Sequence, residues 1–169
     1  MKKKKICIVL ASTGKNLGLA NEISDVLKEK NCEVCFLNIV EMNLPLYTSS
    51  AETIHSAEVL IQPFRDHIIA DGFVFVAPEY NGGPPPTFNN FLAWVSRSTK
   101  NWRETFNGKS AMLASFSAGS GIQAIMIMRL QLSHVGMNVI GRTIQSTSGK
   151  VHKLEEVVDT CDALLQTIR

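Results

Sequence analysis

Five short apolar runs, each parted from the next by a stretch of helical spacing, constrain what this chain can fold into. They are Lys5 to Ala11, Glu33 to Ile39, Phe73 to Ala77, Ser110 to Phe116 and Met137 to Gly141. Compact apolar runs flanked by turn residues read as strands of a buried parallel sheet. Leu17 to Lys30 has helical spacing, with Leu17, Ala20, Ile23, Val26 and Leu27 on one face. Ala51 to Ala70 predicts a helix broken at Pro63, and Thr87 to Ser96 a short helix with Thr87 as candidate cap. Gln123 to Val135 predicts an apolar helix ending at Gly136, a fitting C′ residue. Leu154 to Ile168 closes the chain with Val157, Val158, Cys161, Leu164, Leu165 and Ile168 at core spacing. Strands alternating with such helices imply right-handed βαβ units. The expected architecture is one five-stranded parallel sheet, order 2-1-3-4-5, with helices on both faces. The 169 residues contain no repeat and no long linker, so residues 1–169 are read as one domain.

Charge narrows the partners. The net charge of +2 includes the four lysines Lys2 to Lys5; without them 13 basic residues face 15 acidic ones. No basic face for nucleic acid is expected. The apolar stretch after the lysines ends at Ser12-Thr13-Gly14, too short for a signal peptide, and no run of about 18 apolar residues exists to span a membrane. A cytoplasmic protein is expected. The four cysteines fit that setting. Cys32 and Cys35 form a C-x-x-C pattern, but on a strand these positions point to opposite faces, so buried thiols are expected rather than a redox or metal pair. His55, His67, His134 and His152 show no metal-ligand spacing. Ser117 sits in Ser-Ala-Gly-Ser-Gly rather than in the G-x-S-x-G of a hydrolase elbow.

Chemistry concentrates in three loops at strand ends. After the third strand comes Ala77-Pro78-Glu79-Tyr80-Asn81-Gly82-Gly83-Pro84-Pro85-Pro86, an aromatic and an amide among exposed backbone groups. That inventory suits a flat heteroaromatic ligand with polar edges. Open α/β sheets bind ligands at the carboxyl ends of their strands, at the switch point of strand order. The first loop, Ser12-Thr13-Gly14-Lys15-Asn16, admits two readings: a phosphate site at a helix N-terminus, or an ordinary start capped by Ser12, Thr13 or Asn16. It is neither a Walker A motif nor G-x-G-x-x-G. The third loop, Ser117-Ala118-Gly119-Ser120-Gly121, is small enough for close backbone approach.

These residues resemble the NAD(P)H-dependent FMN reductase family, flavodoxin-like proteins that include quinone, chromate and azo-dye reductases. Pro78-Glu79-Tyr80-Asn81 with Pro85, Asn90 and Trp94 resembles the family's PEYN…P…KN…DW block. Leu44-Pro45-Leu46-Tyr47 resembles its LPLY element, Ser117-Ala118-Gly119 its third ligand loop, and Arg129 to Met137 its LR-x-x-L-x-x-LGM segment. There are departures. The first loop of the family reads like G-S-x-R-x-x-S-x-N, whereas Gly14 and Leu17 stand here at the Arg and second Ser positions. Thr13-Gly14-Lys15-Asn16 is closer to the flavodoxin pattern T-G-x-[TN], with Lys15 offering a charge in place of Arg. Asn89 and Ala93 replace the Lys and Asp of KN…DW.

The resemblance implies a flavodoxin-like three-layer sandwich that binds FMN and uses NADPH or NADH to reduce a small-molecule electron acceptor, by ping-pong hydride transfer. It implies cofactor contacts at Ser12, Thr13, Gly14, Lys15 and Asn16 for the phosphate. Pro78, Glu79, Tyr80, Asn81, Gly82, Ser117 and Gly119 would lie around the ring. The cofactor carries the chemistry, so no catalytic side chain and no metal is expected. A homodimer or homotetramer is expected, and the apolar excess around Ile125 to Met128 is either core or subunit interface. Two other functions share the fold: an electron carrier of flavodoxin type, and a binding protein without flavin.

Overall fold

The computed structural model describes residues 3–65 and 69–168. Its strands are β1 (Lys5–Leu10), β2 (Glu33–Asn38), β3 (Gly72–Val76), β4 (Ser110–Ser117) and β5 (Asn138–Thr147). They form one sheet in the order β2-β1-β3-β4-β5, every neighbouring pair parallel. The helices are α1 (Lys15–Glu29), α2 (Ser49–Ile54), α3 (Ala57–Leu60), α4 (Gln62–Arg65), α5 (Pro86–Ser98), α6 (Ile122–His134) and α7 (Leu154–Thr167), with a 3-10 turn at Trp102–Thr105.

Period-two alternation divides the core into two layers. Ile6, Ile8, Leu10, Val74, Val76, Met112 and Ala114 pack toward α1 and α7. Cys7, Val9, Phe73, Phe75, Ala111 and Leu113 pack toward α5, α6 and the short helices. With helices on both sides, β1 and β3 have no polar face, hence their continuous apolar runs. On the α5 side, Phe64 meets Phe91 edge-on with ring centroids 5.0 Å apart, and Phe75 meets Phe88 likewise at 6.0 Å.

Four local expectations are corrected. The stretch expected as one helix from Ala51 to Ala70 is three short helices up to Arg65, and residues 66–68, including His67, lie outside the described part. The break falls at Ser56, whose hydroxyl accepts the Val59 N–H. Pro63 does not break a helix, because it is the second residue of α4, where its missing N–H would have had no partner. Thr87 is not a cap: Pro85 holds that place and Thr87 Oγ1 donates to the Ala11 carbonyl at 3.3 Å. Leu17 is exposed; the inward row of α1 runs Asn16, Ala20, Ile23, Leu27. The fifth strand continues past Gly141 to Thr147, the pairing with β4 jumping from Ala111↔Val139 to Leu113↔Thr143 across an irregularity. Such an edge-strand irregularity lets Ile140-Gly141-Arg142 sit in the strand without a ladder partner.

Candidate functional site

The three loops lie side by side. Leu10 is in register with Val76, and Val76 with Ala114, so β1 and β3 end together while β4 runs on to Ser117 beside them. Backbone bonds continue past the strands, from Ala11 N–H to the Val76 carbonyl (3.0 Å) and from Ala77 N–H to the Ala114 carbonyl (3.1 Å).

The first loop enters α1 through Gly14, whose φ of 68° is the left-handed region open to glycine. No side chain caps this helix. Ser12 Oγ donates to the neighbouring Thr13 carbonyl, and the N–H groups of Ser12, Thr13 and Gly14 have no partner among the described residues. The reading of an ordinary capped start therefore does not hold. An uncapped helix N-terminus leaves its first-turn donors and the positive end of its dipole to a ligand or to water. Asn16 differs from its neighbours: its side chain is buried and bonded to the backbone of Phe116. Lys15 reaches across the loops, its Nζ donating to Ser148 Oγ (2.8 Å) and lying 4.9 Å from the centre of the Phe116 ring.

The second loop turns on Asn81 (φ 49°) and Gly82 (φ 77°). Tyr80 and Gly83 exchange both backbone bonds, Tyr80 N–H to the Gly83 carbonyl at 2.8 Å and the reverse at 3.1 Å. Two central residues with positive φ make a type I′ turn, which Asn-Gly favours. The turn holds Tyr80 out from the surface, 53% exposed.

A hydroxyl and a carboxylate brace this loop on the third. Glu79 N–H donates to Ser117 Oγ (2.8 Å), which shares a further bond with Ser115 Oγ (2.7 Å). The Glu79 carboxylate accepts the Gln123 and Ala124 N–H groups at the start of α6, at 3.1 and 3.4 Å. An acidic group there also meets the positive end of the helix dipole. Gly121 (φ 72°) sits so close that a Cβ would come within 2.5 Å of Ser115 Oγ. Gly119 faces open space, with nothing within 4 Å of a Cβ.

The expected site residues thus fall into two sets. Asn16, Pro78 and Ser117 are buried and Glu79 is half-buried; they join the loops from beneath. Thr13, Gly14, Lys15, Tyr80, Asn81 and Gly119 are exposed, and Ser12 and Gly82 partly so, on the side a ligand can reach. Ser148, in the turn after β5, is a residue the sequence reading missed. Its signal was the small polar run Ser146-Thr147-Ser148-Gly149-Lys150, set too far from a strand end by the early stop at Gly141.

Elsewhere the motifs bind each other. Asn90 accepts the Tyr47 N–H (2.8 Å) and donates to the Pro45 carbonyl (3.0 Å), which also accepts from Trp94 Nε1 (2.7 Å). Tyr47 and Arg97 both donate to the Glu52 carboxylate, which holds that carboxyl below its ordinary range. Cys32 and Cys35 do sit in opposite core layers. Cys35 instead lies in register with Cys7. No cluster of three metal-binding side chains occurs among the described residues, and none of their helices is long and apolar enough to cross a membrane.

Comparisons with known proteins agree with this architecture. The profile of the family described as NADPH-dependent FMN reductase matches residues 4–165. A probable NADPH:quinone oxidoreductase 1 of Oryza sativa subsp. japonica is 30% identical over 118 residues, which are 69% of this chain and 58% of that protein. The NADPH:quinone oxidoreductase of Arabidopsis thaliana is 29% identical over 115 residues, 66% of this chain and 56% of the relative. The chain thus spans a little over half the length of these two curated relatives. The flavoenzyme NAD(P)H:(acceptor) oxidoreductase FerB from Paracoccus denitrificans shares the fold, with a TM-score of 0.73 at 20% identity, covering 95% of this chain and 98% of that one.

Proposed function

Because the chain belongs to the NADPH-dependent FMN reductase family, we propose that it is an FMN-containing oxidoreductase that takes electrons from NADPH or NADH and passes them to a quinone, a free flavin or a similar small acceptor. The observation that carries this is the uncapped start of α1 next to the Tyr80–Gly83 turn. Its donor set fits FMN: unpaired N–H groups, two hydroxyls and an ammonium at one end, and a flat open rim with an aromatic and an amide at the other. When bound there, FMN supplies acceptance and onward transfer of hydride.

The chain's own residues bind and orient. Ser12, Thr13, Gly14 and Lys15 hold the phosphate through N–H, hydroxyl and ammonium donors, with Asn16 fixing the loop from below. Tyr80, Asn81, Gly82 and Gly119 border the ring, and Pro78, Glu79 and Ser117 fix that border. No side chain moves a proton in this scheme, and no metal takes part. The outer face of α6, where Met126 and Leu130 are exposed, supports a homodimer or a larger homo-oligomer. A cytoplasmic setting fits four free thiols.

Steady-state kinetics test the proposal. NADPH oxidation with a quinone acceptor should give parallel double-reciprocal lines, since two substrates use one ring face in turn. Intersecting lines would contradict a shared face, and absence of turnover with every nicotinamide and acceptor pair would contradict the reductase assignment.

A further inference from the structure

We infer that Ser148 is a positioning residue for Lys15, and that through it the turn after β5 sets the site's preference for a phosphorylated flavin over an unphosphorylated one. The inference rests on the cofactor reading above.

An exposed lysine has several rotatable bonds, and holding it in one place costs side-chain entropy. Lys15 is exposed yet held at two points, the Ser148 hydroxyl and the face of Phe116. Both are themselves fixed. The Phe116 backbone is tied to Asn16, the residue next to Lys15. The turn carrying Ser148 is closed by Thr147 N–H donating to the Lys150 carbonyl (3.0 Å). Thr147 Oγ1 also accepts the N–H groups of Gly149 (3.2 Å) and Lys150 (2.9 Å). A longer strut joins the same loop to α1: His152 Nε2 lies 2.7 Å from Glu22 Oε2.

Neither group that holds Lys15 is anionic. The ammonium has three donors, and Ser148 takes one. Two donors remain on the side chain that directly follows the loop in sequence, and the N–H groups of Ser12, Thr13 and Gly14 in that loop have no partner among the described residues. A lysine fixed by a hydroxyl and a ring, rather than by a carboxylate, keeps its charge uncompensated for an incoming anion. Phosphate is that anion in FMN, and riboflavin lacks it. The Lys15–Ser148 contact therefore bears on FMN and leaves riboflavin untouched.

The test compares the two ligands on the full chain freed of bound flavin, by fluorescence quenching. Lys15→Met should weaken FMN by on the order of tenfold to a hundredfold, the loss of a charge-assisted contact. Ser148→Ala should weaken FMN by roughly threefold to tenfold, with riboflavin moving less than about twofold in either variant. Ser148→Thr should restore the wild-type ratio. In the Lys15→Met background Ser148→Ala should add nothing, since its effect passes through the lysine. An unchanged FMN-to-riboflavin ratio in Ser148→Ala, an equal loss for both ligands, or additive effects in the double variant would overturn the inference while leaving the cofactor reading intact. A wild-type chain that binds neither flavin overturns the cofactor reading, and the inference with it.

Discussion

Asn16 and Phe116 exchange a pair of hydrogen bonds across one hundred positions of sequence, Asn16 Nδ2 to the Phe116 carbonyl and Phe116 N–H to Asn16 Oδ1, both at 2.9 Å. One amide side chain thereby satisfies both backbone groups at the end of β4 and fixes the first turn of α1 to it. Few residue types other than asparagine carry a donor and an acceptor in that span. Asn16→Ala leaves a donor and an acceptor unpaired, at about 1 to 3 kcal/mol each where water cannot replace the partner. The expected loss is about 2 to 4 kcal/mol, or a fall in Tm of roughly 5 to 15 °C in a domain of this size. Thermal unfolding measures it, and a fall under about 2 °C would show that the pair does not hold the loops.

Gly82 bears on turnover. Its φ is 77°, and a Cβ there would lie 2.7 Å from Gln123 Oε1, the movable end of a long side chain. Gly82→Val therefore strains the turn and intrudes on its rim, while the phosphate loop at α1 is untouched. Catalysed transfer depends on stacking at near-attack distance. The expected result is a fall in kcat of at least about tenfold with FMN affinity changed less than about threefold. A larger loss in affinity than in kcat would place Gly82 in binding instead.

The face of α6 offers a third test. Leu130 is 72% exposed and Met126 55% exposed, while Ile125 and Met128 of the same helix are buried. A doubly charged variant, Met126→Glu with Leu130→Lys, removes apolar area from that face without touching the core. Sedimentation should show the wild type as a homo-oligomer and the variant as a monomer. A variant that keeps the wild-type mass moves the interface elsewhere.

Thiol chemistry gives a fourth expectation. Burial pushes the Cys161 thiol up to about 12, and contact with Cys35 followed by burial pushes Cys7 above the ordinary thiol range. A raised pKa leaves less thiolate at any given pH, and the thiolate is the nucleophile. At pH 8, iodoacetamide should leave Cys7 and Cys161 unmodified in the folded chain and label both after unfolding, as read by peptide mass spectrometry. Rapid labelling of either in the folded state would contradict their burial.

What was legible in the sequence followed from burial on two faces. Val74 and Phe75 could only be continuous apolar strand, and the order of the loops followed from the alternation. The LPLY and Asn90/Trp94 elements, recognised separately, prove to be one contact, since Pro45 receives both Asn90 and Trp94. Edges and side-chain roles were harder. β5 is an edge strand in which Arg142, Gln145 and Ser146 interrupt the apolar pattern, so its end, and with it Ser148, escaped notice. Asn16 and Ser117 looked like ligand contacts because short polar side chains at strand ends serve ligands and backbone braces equally well. Only the partners, Phe116 for one and Glu79 for the other, tell the two uses apart.

Anaerobic mixing of the FMN-loaded chain with NADPH, and separately with NADH, followed by visible absorbance, tests the central claim most directly. An oxidoreductase of the kind proposed bleaches the oxidised flavin band with at least one of the two, and a small quinone then restores it. An oxidised spectrum that persists with both nicotinamides would contradict the assignment and favour an electron carrier on the same fold.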